Sequence, residues 1–213
     1  MMNTKILGIV GGLDSETSAK FLLEVNRLFR AKHGFQPNIV LDNISLSVFD
    51  EKAFIKGKID TSHKEKIQES IDRLVLAGVD FIVIPCNSVH VFIDSLKSKV
   101  PILNIIDLTL DKADGEKIGL LATSMTIKQG LFSGKNKEII VPSRSDQQKV
   151  DSIIVDIISG KKSKGLEEIS KSLVSRGAEK VILGCTTLHR TLNSTLHVDS
   201  LQVLSEKVLE VME

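Results

Sequence analysis

The sequence contains two matching segments, VDFIVIPCNS at residues 79–88 and AEKVILGCTT at residues 178–187. Each segment is an apolar run of the length of a buried strand, and each ends in a cysteine followed by small hydrogen-bonding residues. Upstream of them, KILGIV at residues 5–10 matches KIGLL at residues 117–121. Because only two copies of this pattern exist, it indicates two related lobes and not a solenoid of many repeats.

Short apolar runs alternate with amphipathic segments along the whole chain. Apolar side chains at spacings of three and four predict a helix over about residues 15–32. Further helices are predicted at residues 62–76, 147–158, 166–175 and 200–212, and strands at 4–10, 38–41, 79–85, 100–103, 117–122, 139–141 and 180–184. Strands separated by helices predict mostly parallel sheets that are flanked by helices. We therefore expect an α/β fold of two pseudo-symmetric lobes, residues 1–104 and 105–199, with a terminal helix at residues 200–213 that packs back on the first lobe.

The composition limits the classes of function. Lys and Arg number 28 and Asp and Glu 27, so the net charge of +1 gives no electrostatic reason to bind nucleic acid or an anionic membrane. Aromatic residues make up 4%, with no Trp or Tyr, which leaves few platforms for stacking nucleobases. No apolar run approaches the length of about 20 residues that a membrane span needs, and the N-terminus lacks the pattern of a signal peptide. We expect a cytoplasmic protein without a nucleic-acid or membrane partner.

Cys86 and Cys185 occupy the same place in the two lobes, directly after a predicted strand. In open parallel sheets, ligands bind beyond the carboxyl ends of the strands, so two lobes packed face to face would bring both thiols to opposite sides of one inter-lobe cleft. Racemisation of an amino acid removes the Cα proton from one face and returns a proton to the other, which requires an acid/base group on each side. A single cysteine after a buried strand is usually a small core residue, but a matched pair favours functional thiols.

The residues after each cysteine suit this chemistry. Asn87 and Thr186 are residue types that begin helices well, and a helix N-terminus lowers the pKa of a nearby thiol. Backbone N–H groups at such a helix start also bind a carboxylate and stabilise charge that develops on it. The pattern therefore predicts lowered thiol pKa values beside a site for an amino-acid carboxylate.

The sequence resembles the aspartate/glutamate racemase family in motifs that span nearly the whole chain. PCNSVH at residues 85–90 and ILGCT at 182–186 are similar to the two cysteine motifs of the family, and GIVGGL at 8–13 and GLLAT at 119–123 are similar to its two turns. The resemblance implies a cofactor-independent amino-acid racemase for aspartate or glutamate, with a small-molecule amino-acid substrate and a homodimeric assembly. By motif position, it implies Cys86 and Cys185 as the catalytic pair of a two-base mechanism and a substrate site formed by Gly11, Gly12, Asn87, Ser88, Thr123, Thr126, Thr186 and Thr187.

The sequence departs from the family pattern beside both motifs. Asp14 and Ser15 stand where the first turn usually continues with glycine and proline. Thr187 and His189 stand where the second cysteine motif usually has glutamate and proline. These departures leave open whether activity is kept, redirected or lost.

A cation for an acidic substrate is also missing from its usual place. Archaeal-type aspartate racemases carry an arginine in the segment after the second strand, and residues 43–50 contain none. Lys164 and its neighbour Lys162 belong to a basic cluster. This cluster is either a solvated loop or the source of the missing cation, which Lys164 or Lys162 would then supply. Asp50 is either a loop cap or a partner for a substrate ammonium.

Three alternatives stay open at this stage. A family member that kept the cleft and lost turnover would be a small-molecule binding protein. Maleate isomerase and hydantoin racemase resemble the same lobes, so another isomerase of the superfamily fits as well. Arylmalonate decarboxylase also resembles them, but decarboxylation needs only one cysteine, so the presence of two argues against it.

His90 and His189 each follow a cysteine by four residues. His90 either tunes its cysteine or caps and packs, and we favour packing. A Cys-His pair in each lobe supplies too few neighbouring ligands for a zinc site. The remaining histidines, His33, His63 and His197, are expected to be solvated at helix ends or in loops.

Overall fold

The computed structural model describes residues 4–47, 50 and 61–213, and two four-stranded parallel sheets lie within them. The first sheet consists of β1 (Leu7–Gly11), β2 (Ile39–Asn43), β3 (Phe81–Val83) and β4 (Ile102–Leu103), in the order β2-β1-β3-β4. The second consists of β5 (Lys117–Leu121), β6 (Glu138–Ile140), β7 (Lys180–Leu183) and β8 (His197–Asp199), in the order β6-β5-β7-β8. The equivalent strand orders confirm the predicted α/β fold of two pseudo-symmetric lobes.

Helices flank both sheets. Within the described residues they are α1 (Ser15–His33), α2 (Thr61–Leu76), α3 (Ile105–Lys112), α4 (Ser124–Lys128), α5 (Arg144–Ile158), α6 (Leu166–Ser175) and α7 (Ser200–Met212). Short 3₁₀ helices, Ser88–Ser95 and Thr186–Leu188, follow the two cysteines. Phe21, Val25 and Phe29 form the buried face of α1, at the helical spacing that the sequence indicates.

The sequence did not predict α3, α4 or β8. Each is eight residues or shorter, which is too little for a hydrophobic period to stand out. The strand predicted at residues 79–85 is also longer than β3, because its ends serve other purposes. Val79 donates its N–H to the end of α2 at Leu74, and Pro85 has no N–H to give to the sheet.

The terminal helix α7 packs against α1 and α3 and buries Leu201, Leu204, Val208 and Met212. The N–H of Lys5 donates to the carbonyl of Met212, which ties both ends of the chain together. The largest hydrophobic cluster includes side chains of both lobes and of α7. The division into residues 1–104 and 105–199 stays a prediction. No helix among the described residues has the length and apolar character to span a lipid bilayer.

The expectation that three histidines are solvated is wrong. His63 is buried, and His33 stacks on Phe29 with ring centroids 4.3 Å apart. His197 lies in β8 and forms hydrogen bonds of 2.9 Å with Ser170 and 2.8 Å with Ser194. His63 is covered by tertiary packing, whereas His33 packs on a residue of its own helix, and His33 and His197 are only partly exposed.

Candidate active site

The order of each sheet reverses between its two central strands, β1 and β3 in one lobe and β5 and β7 in the other. Such a switch point opens a crevice at the carboxyl ends of the strands. The loops that follow these four strands meet in an inter-lobe cleft of about 530 Å³, including its open mouth. Seven predicted site residues line this cleft: Cys86, Asn87, Ser88, Thr123, Cys185, Thr186 and Thr187.

Both cysteines are free thiols, and both belong to the wall of the cleft. The backbone N–H groups of Ser88 and Val89 act to lower the pKa of the Cys86 thiol. The backbone N–H groups of Thr187 and Leu188 act in the same direction on the pKa of the Cys185 thiol. The N–H groups at the starts of the two 3₁₀ helices therefore favour the thiolates, which is the effect that the sequence predicts for them.

The thiol pKa values nevertheless move in the direction opposite to the prediction. Burial in the narrow cleft, followed by the charge of the opposing Cys185, raises the pKa of Cys86 to about 12. Burial, with a smaller contribution from the Asp14 carboxylate, raises the pKa of Cys185 to about 11. The backbone donors oppose this shift but do not outweigh it. Since each thiolate disfavours the other, the pair holds at most one negative charge near neutral pH.

A hydroxyl cluster connects the lobes on one side of the cleft. Ser88 Oγ lies 3.0 Å from Thr123 Oγ1 and 2.9 Å from Thr126 Oγ1, and the two threonine oxygens are 3.0 Å apart. Thr123 also caps α4 by accepting the N–H of Thr126. Ser88 and Thr123 reach the cleft, while Thr126 is fully buried behind them.

Three further hydrogen bonds connect the segments around the two cysteines, one of them directly and two through Ser200 of α7. Thr186 Oγ1 donates to the carbonyl of Pro85 at 3.0 Å, which joins the residue after one cysteine to the residue before the other. Asn87 Nδ2 donates to Ser200 Oγ at 2.9 Å, and Ser200 Oγ donates in turn to the carbonyl of Leu183 at 2.8 Å. The side chains next to the cysteines thus connect the two lobes by hydrogen bonds.

The predicted glycine turn, Gly11 and Gly12, directly precedes the cleft-lining residues Leu13 and Asp14. Gly12 has φ +86°, and a Cβ at this position would lie 2.0 Å from the carbonyl oxygen of Ile44. The chain after β2 approaches this closely because Ile44 N donates to the carbonyl of Gly11 at 3.1 Å. Gly11 and Gly12 therefore shape the turn that carries Leu13 and Asp14 into the cleft lining.

Replacing Gly12 by Ala is expected to lower the free energy of unfolding by about 3 kcal/mol or more, because it combines left-handed backbone strain with a backbone clash. Urea denaturation measures the loss. Gly34→Ala is the matched control, because Gly34 has φ +79° but open space around it. This variant is expected to suffer only the backbone strain of about 1 kcal/mol and no clash. Equal losses in the two variants would contradict the role given to the Ile44 contact.

The histidines near the cysteines serve structural contacts. His90 is buried, its Nδ1 lies 2.9 Å from the carbonyl oxygen of Cys86, and burial lowers its pKa to about 4. A neutral ring at this position supports the packing interpretation. His189 Nδ1 pairs with Asp199 at 2.8 Å. Within the described part of the chain, no three His, Cys, Asp or Glu side chains are grouped closely enough to share a metal ion.

Known proteins with similar sequences include racemases. The sequence model of the Asp/Glu/hydantoin racemase family matches residues 10–206. The chain is a member of this racemase family. A broad specificity amino-acid racemase, RacX of Bacillus subtilis, is 24% identical over 207 residues, which are 92% of this chain and 89% of the relative.

Solved structures of racemases share the fold over the full length. An aspartate racemase homologue from Pyrococcus horikoshii superimposes with a TM-score of 0.79 at 25% identity, over 98% of this chain and 99% of the other. The aspartate racemase of Picrophilus torridus gives a TM-score of 0.79 at 23% identity, over 97% and 93% of the two chains. The racemase fold therefore accounts for both lobes and for the cleft between them.

Two of the departures from the racemase motifs meet in the structure. Asp14 lines the cleft, and its Oδ2 accepts a hydrogen bond from Thr187 Oγ1 at 3.1 Å across 173 residues of sequence. Asp14 also caps α1, since its Oδ1 accepts the N–H groups of Glu16 and Thr17. Thr187 stands where the resembling motif has a glutamate, and the carboxylate that it contacts belongs to the first lobe.

Other predicted site residues lie outside the cleft lining. Lys164 is exposed in the segment between α5 and α6, and so is Lys162. The position of Lys164 gives no support to a role as reader of a side-chain carboxylate. Asp50 forms hydrogen bonds with Ser47.

Sequence reasoning missed most of the apolar wall, formed by Leu13, Leu46, Ile154 and Ile158. The two isoleucines lie in α5, where they follow the ordinary pattern of a core-facing helix. The two leucines belong to irregular segments. Only the packing of the lobes turns these four side chains toward the cysteines.

Proposed function

We propose that the protein racemises an α-amino acid through Cys86 and Cys185, each serving one face of Cα. The observation that carries the proposal is the convergence of two free cysteines, from equivalent strands of two related lobes, on one cleft. Membership of the racemase family supports the same reaction class.

In the proposed reaction, the thiolate of one cysteine takes the Cα proton and becomes a thiol. The electron pair left on Cα delocalises into the substrate carboxylate, and the thiol of the opposing cysteine then gives its proton to the other face. Backbone N–H groups at the two 3₁₀ helix starts and the hydroxyls of Ser88 and Thr123 are the donors available to the developing charge. After one turnover the two cysteines have exchanged protonation states, and the return reaction restores them without a cofactor.

The substrate side chain is a separate part of the proposal. Aspartate and glutamate are the substrates that the family resemblance predicts. Among the described residues that line the cleft there is no Lys or Arg, and four large aliphatic side chains form part of its wall. This lining supports an amino acid with an uncharged side chain as the first alternative, so the assay must cover both classes.

The test is loss of optical activity from single enantiomers of aspartate, glutamate, alanine, leucine, methionine and lysine, followed by chiral chromatography. We expect at least one of them to reach equal amounts of both enantiomers, with no effect of a chelator or of hydroxylamine as a scavenger of pyridoxal phosphate. Lys164→Ala serves as a control away from the cleft and is expected to leave kcat/KM unchanged. Binding of these amino acids without racemisation would overturn the proposal in favour of a binding protein.

The assembly and location also belong to this proposal. A homodimer is implied by the family resemblance, and a cytoplasmic location is predicted from the sequence. Sedimentation velocity tests the first, and fractionation of the cells that express the protein tests the second.

A further inference from the structure

We infer that Ile154 and Ile158 of α5 form the side-chain subsite of the cleft, that they select an amino acid with an aliphatic or thioether side chain, and that Asp151 positions them. The inference rests on the proposed function and narrows it, because it decides between the acidic and the uncharged substrates. The three residues lie in α5, outside both cysteine motifs and both glycine turns.

The first argument is that polar and aliphatic side chains reach the cleft from different elements. Asn87, Ser88 and Thr123, which follow β3 and β5, offer hydrogen bonds, whereas Ile154 and Ile158 come from a helix. An α-amino acid carries its carboxylate and its ammonium on Cα, so the hydrogen-bonding groups suit that end of the molecule. The aliphatic wall remains for the side chain of the substrate.

The second argument is that both lobes place aliphatic side chains beside their cysteine. In the second lobe, Ile154 belongs to a hydrophobic cluster, and Ile158 and Cys185 pack against it. In the first lobe, Leu46 and Cys86 pack against the corresponding cluster. All five residues line the cleft. A side chain that a substrate extends from between the two cysteines therefore meets aliphatic groups of both lobes.

The third argument is the free energy of burying each kind of side chain. Burial of an aliphatic side chain against such a wall is favourable, because it removes apolar surface from water. Burial of a carboxylate there is costly unless a cation pairs with it, and the described residues that line the cleft include no Lys or Arg. The lining therefore favours leucine or methionine over aspartate or glutamate.

Asp151 fixes the position of the two isoleucines. It precedes Ile154 by three residues in α5, so the two side chains share one face of the helix. Its Oδ1 accepts the N–H of Ser124 at 2.8 Å, and its Oδ2 accepts the Ser124 hydroxyl. Because Ser124 directly follows the cleft residue Thr123, these hydrogen bonds tie α5 to the polar part of the cleft lining. Asp151 is thus a positioning residue for the aliphatic wall.

The first experiment compares the wild type with Ile158→Ala in the racemisation of leucine, methionine, alanine, aspartate and glutamate, followed by chiral chromatography. Ile158 is the residue to change, because it is half-buried at the end of α5 whereas Ile154 is completely buried. We expect the wild type to prefer leucine or methionine over both acidic amino acids. Ile158→Ala is expected to lower kcat/KM for leucine about tenfold relative to that for alanine, whose methyl group is too short to use the wall.

Ile158→Lys tests the same contact with the opposite sign and keeps the inference testable if the Ala variant unfolds. A lysine keeps its methylene groups on the apolar wall and adds a cation to the cleft. We expect the ratio of kcat/KM for glutamate to that for leucine to increase about tenfold or more. Such a ratio cancels any general effect of the substitution on the thiols.

Val155→Ala and Val155→Lys are the matched controls for the two variants. Val155 is half-buried on the same helix and packs against the same hydrophobic cluster, but it lies outside the cleft lining. Both controls are expected to leave the ratios at their wild-type values. Thermal unfolding of all four variants checks that the fold is kept.

Asp151→Ala and Asp151→Asn test the positioning role. The Ala variant loses both hydrogen bonds to Ser124, while the Asn variant keeps an oxygen for the Ser124 N–H. We expect Asp151→Ala to lower the ratio of kcat/KM for leucine to that for alanine several-fold, and Asp151→Asn to restore it. A merely structural role would lower the melting temperature of the Ala variant without changing the ratio, and that result would contradict the role given to Asp151.

The inference is overturned if the wild type prefers aspartate or glutamate, or if neither substitution of Ile158 changes the ratios. Failure of the proposed function has a different outcome. If the wild type racemises none of these amino acids, calorimetric dissociation constants replace kcat/KM in each comparison. A binding preference for leucine that Ile158→Lys reduces would then support the subsite in a protein without turnover, whereas the absence of such a preference would overturn the inference as well.

Discussion

Replacing Cys86 by Ser is expected to lower racemisation by about three orders of magnitude in both directions, which is the usual contribution of a positioned acid/base group. A full cycle removes a proton on one face and returns one on the other, so it needs both thiols in either direction. Cys185→Ser is expected to cause a loss of the same size. Chiral chromatography of the product measures both, and thermal unfolding of each variant checks that the fold is kept.

Proton exchange in D₂O separates the roles of the two cysteines. Each single variant keeps one base, so it should wash the Cα proton out of at most one enantiomer, and the two variants should prefer opposite enantiomers. Proton NMR of the unreacted substrate follows the exchange. The double variant is the control and should exchange neither enantiomer. If one single variant keeps wild-type racemisation, the enzyme works with one base and the other cysteine is structural.

The meeting of the two cysteines in one cleft was predictable because their segments match in sequence. Cys86 and Cys185 follow equivalent strands of two equivalent sheets. The internal repeat therefore predicts that both cysteines lie at the same edge of their sheets and line one cleft. The same logic holds for the long helices and the central strands, whose hydrophobic periods are complete. It fails for α3, α4 and β8, which are too short to carry a period.

The contact between Asp14 and Thr187 had no comparable indication in the sequence. It joins a loop of one lobe to a loop of the other, so it depends on how the lobes are packed and not on any local pattern. The direction of the thiol pKa shifts was missed for a related reason. Helix starts are visible in the sequence and predict a lowered pKa, but the side chains that close the cleft around the sulfurs come from distant segments.

The raised thiol pKa values predict that kcat/KM increases about tenfold per pH unit between pH 6 and 8, or about a hundredfold over that interval. The value of kcat/KM increases with pH because the reaction requires one of the two cysteines to be a thiolate. With pKa values of about 12 for Cys86 and about 11 for Cys185 in the free protein, both cysteines are almost entirely thiols at neutral pH. Each added pH unit therefore raises the thiolate fraction tenfold until the pH approaches the lower of the two values.

A pH–rate profile of the racemase reaction, measured at substrate concentrations well below KM, checks this slope. His90 cannot produce an inflection in this range, because its buried ring has a pKa of about 4 and is neutral throughout. The alkylation rate of the free protein by iodoacetamide is the control, and it should rise with the same slope because it depends on the same thiolate. A level profile above pH 7 would contradict the burial argument, since it would require a thiolate that the backbone N–H donors already stabilise at neutral pH.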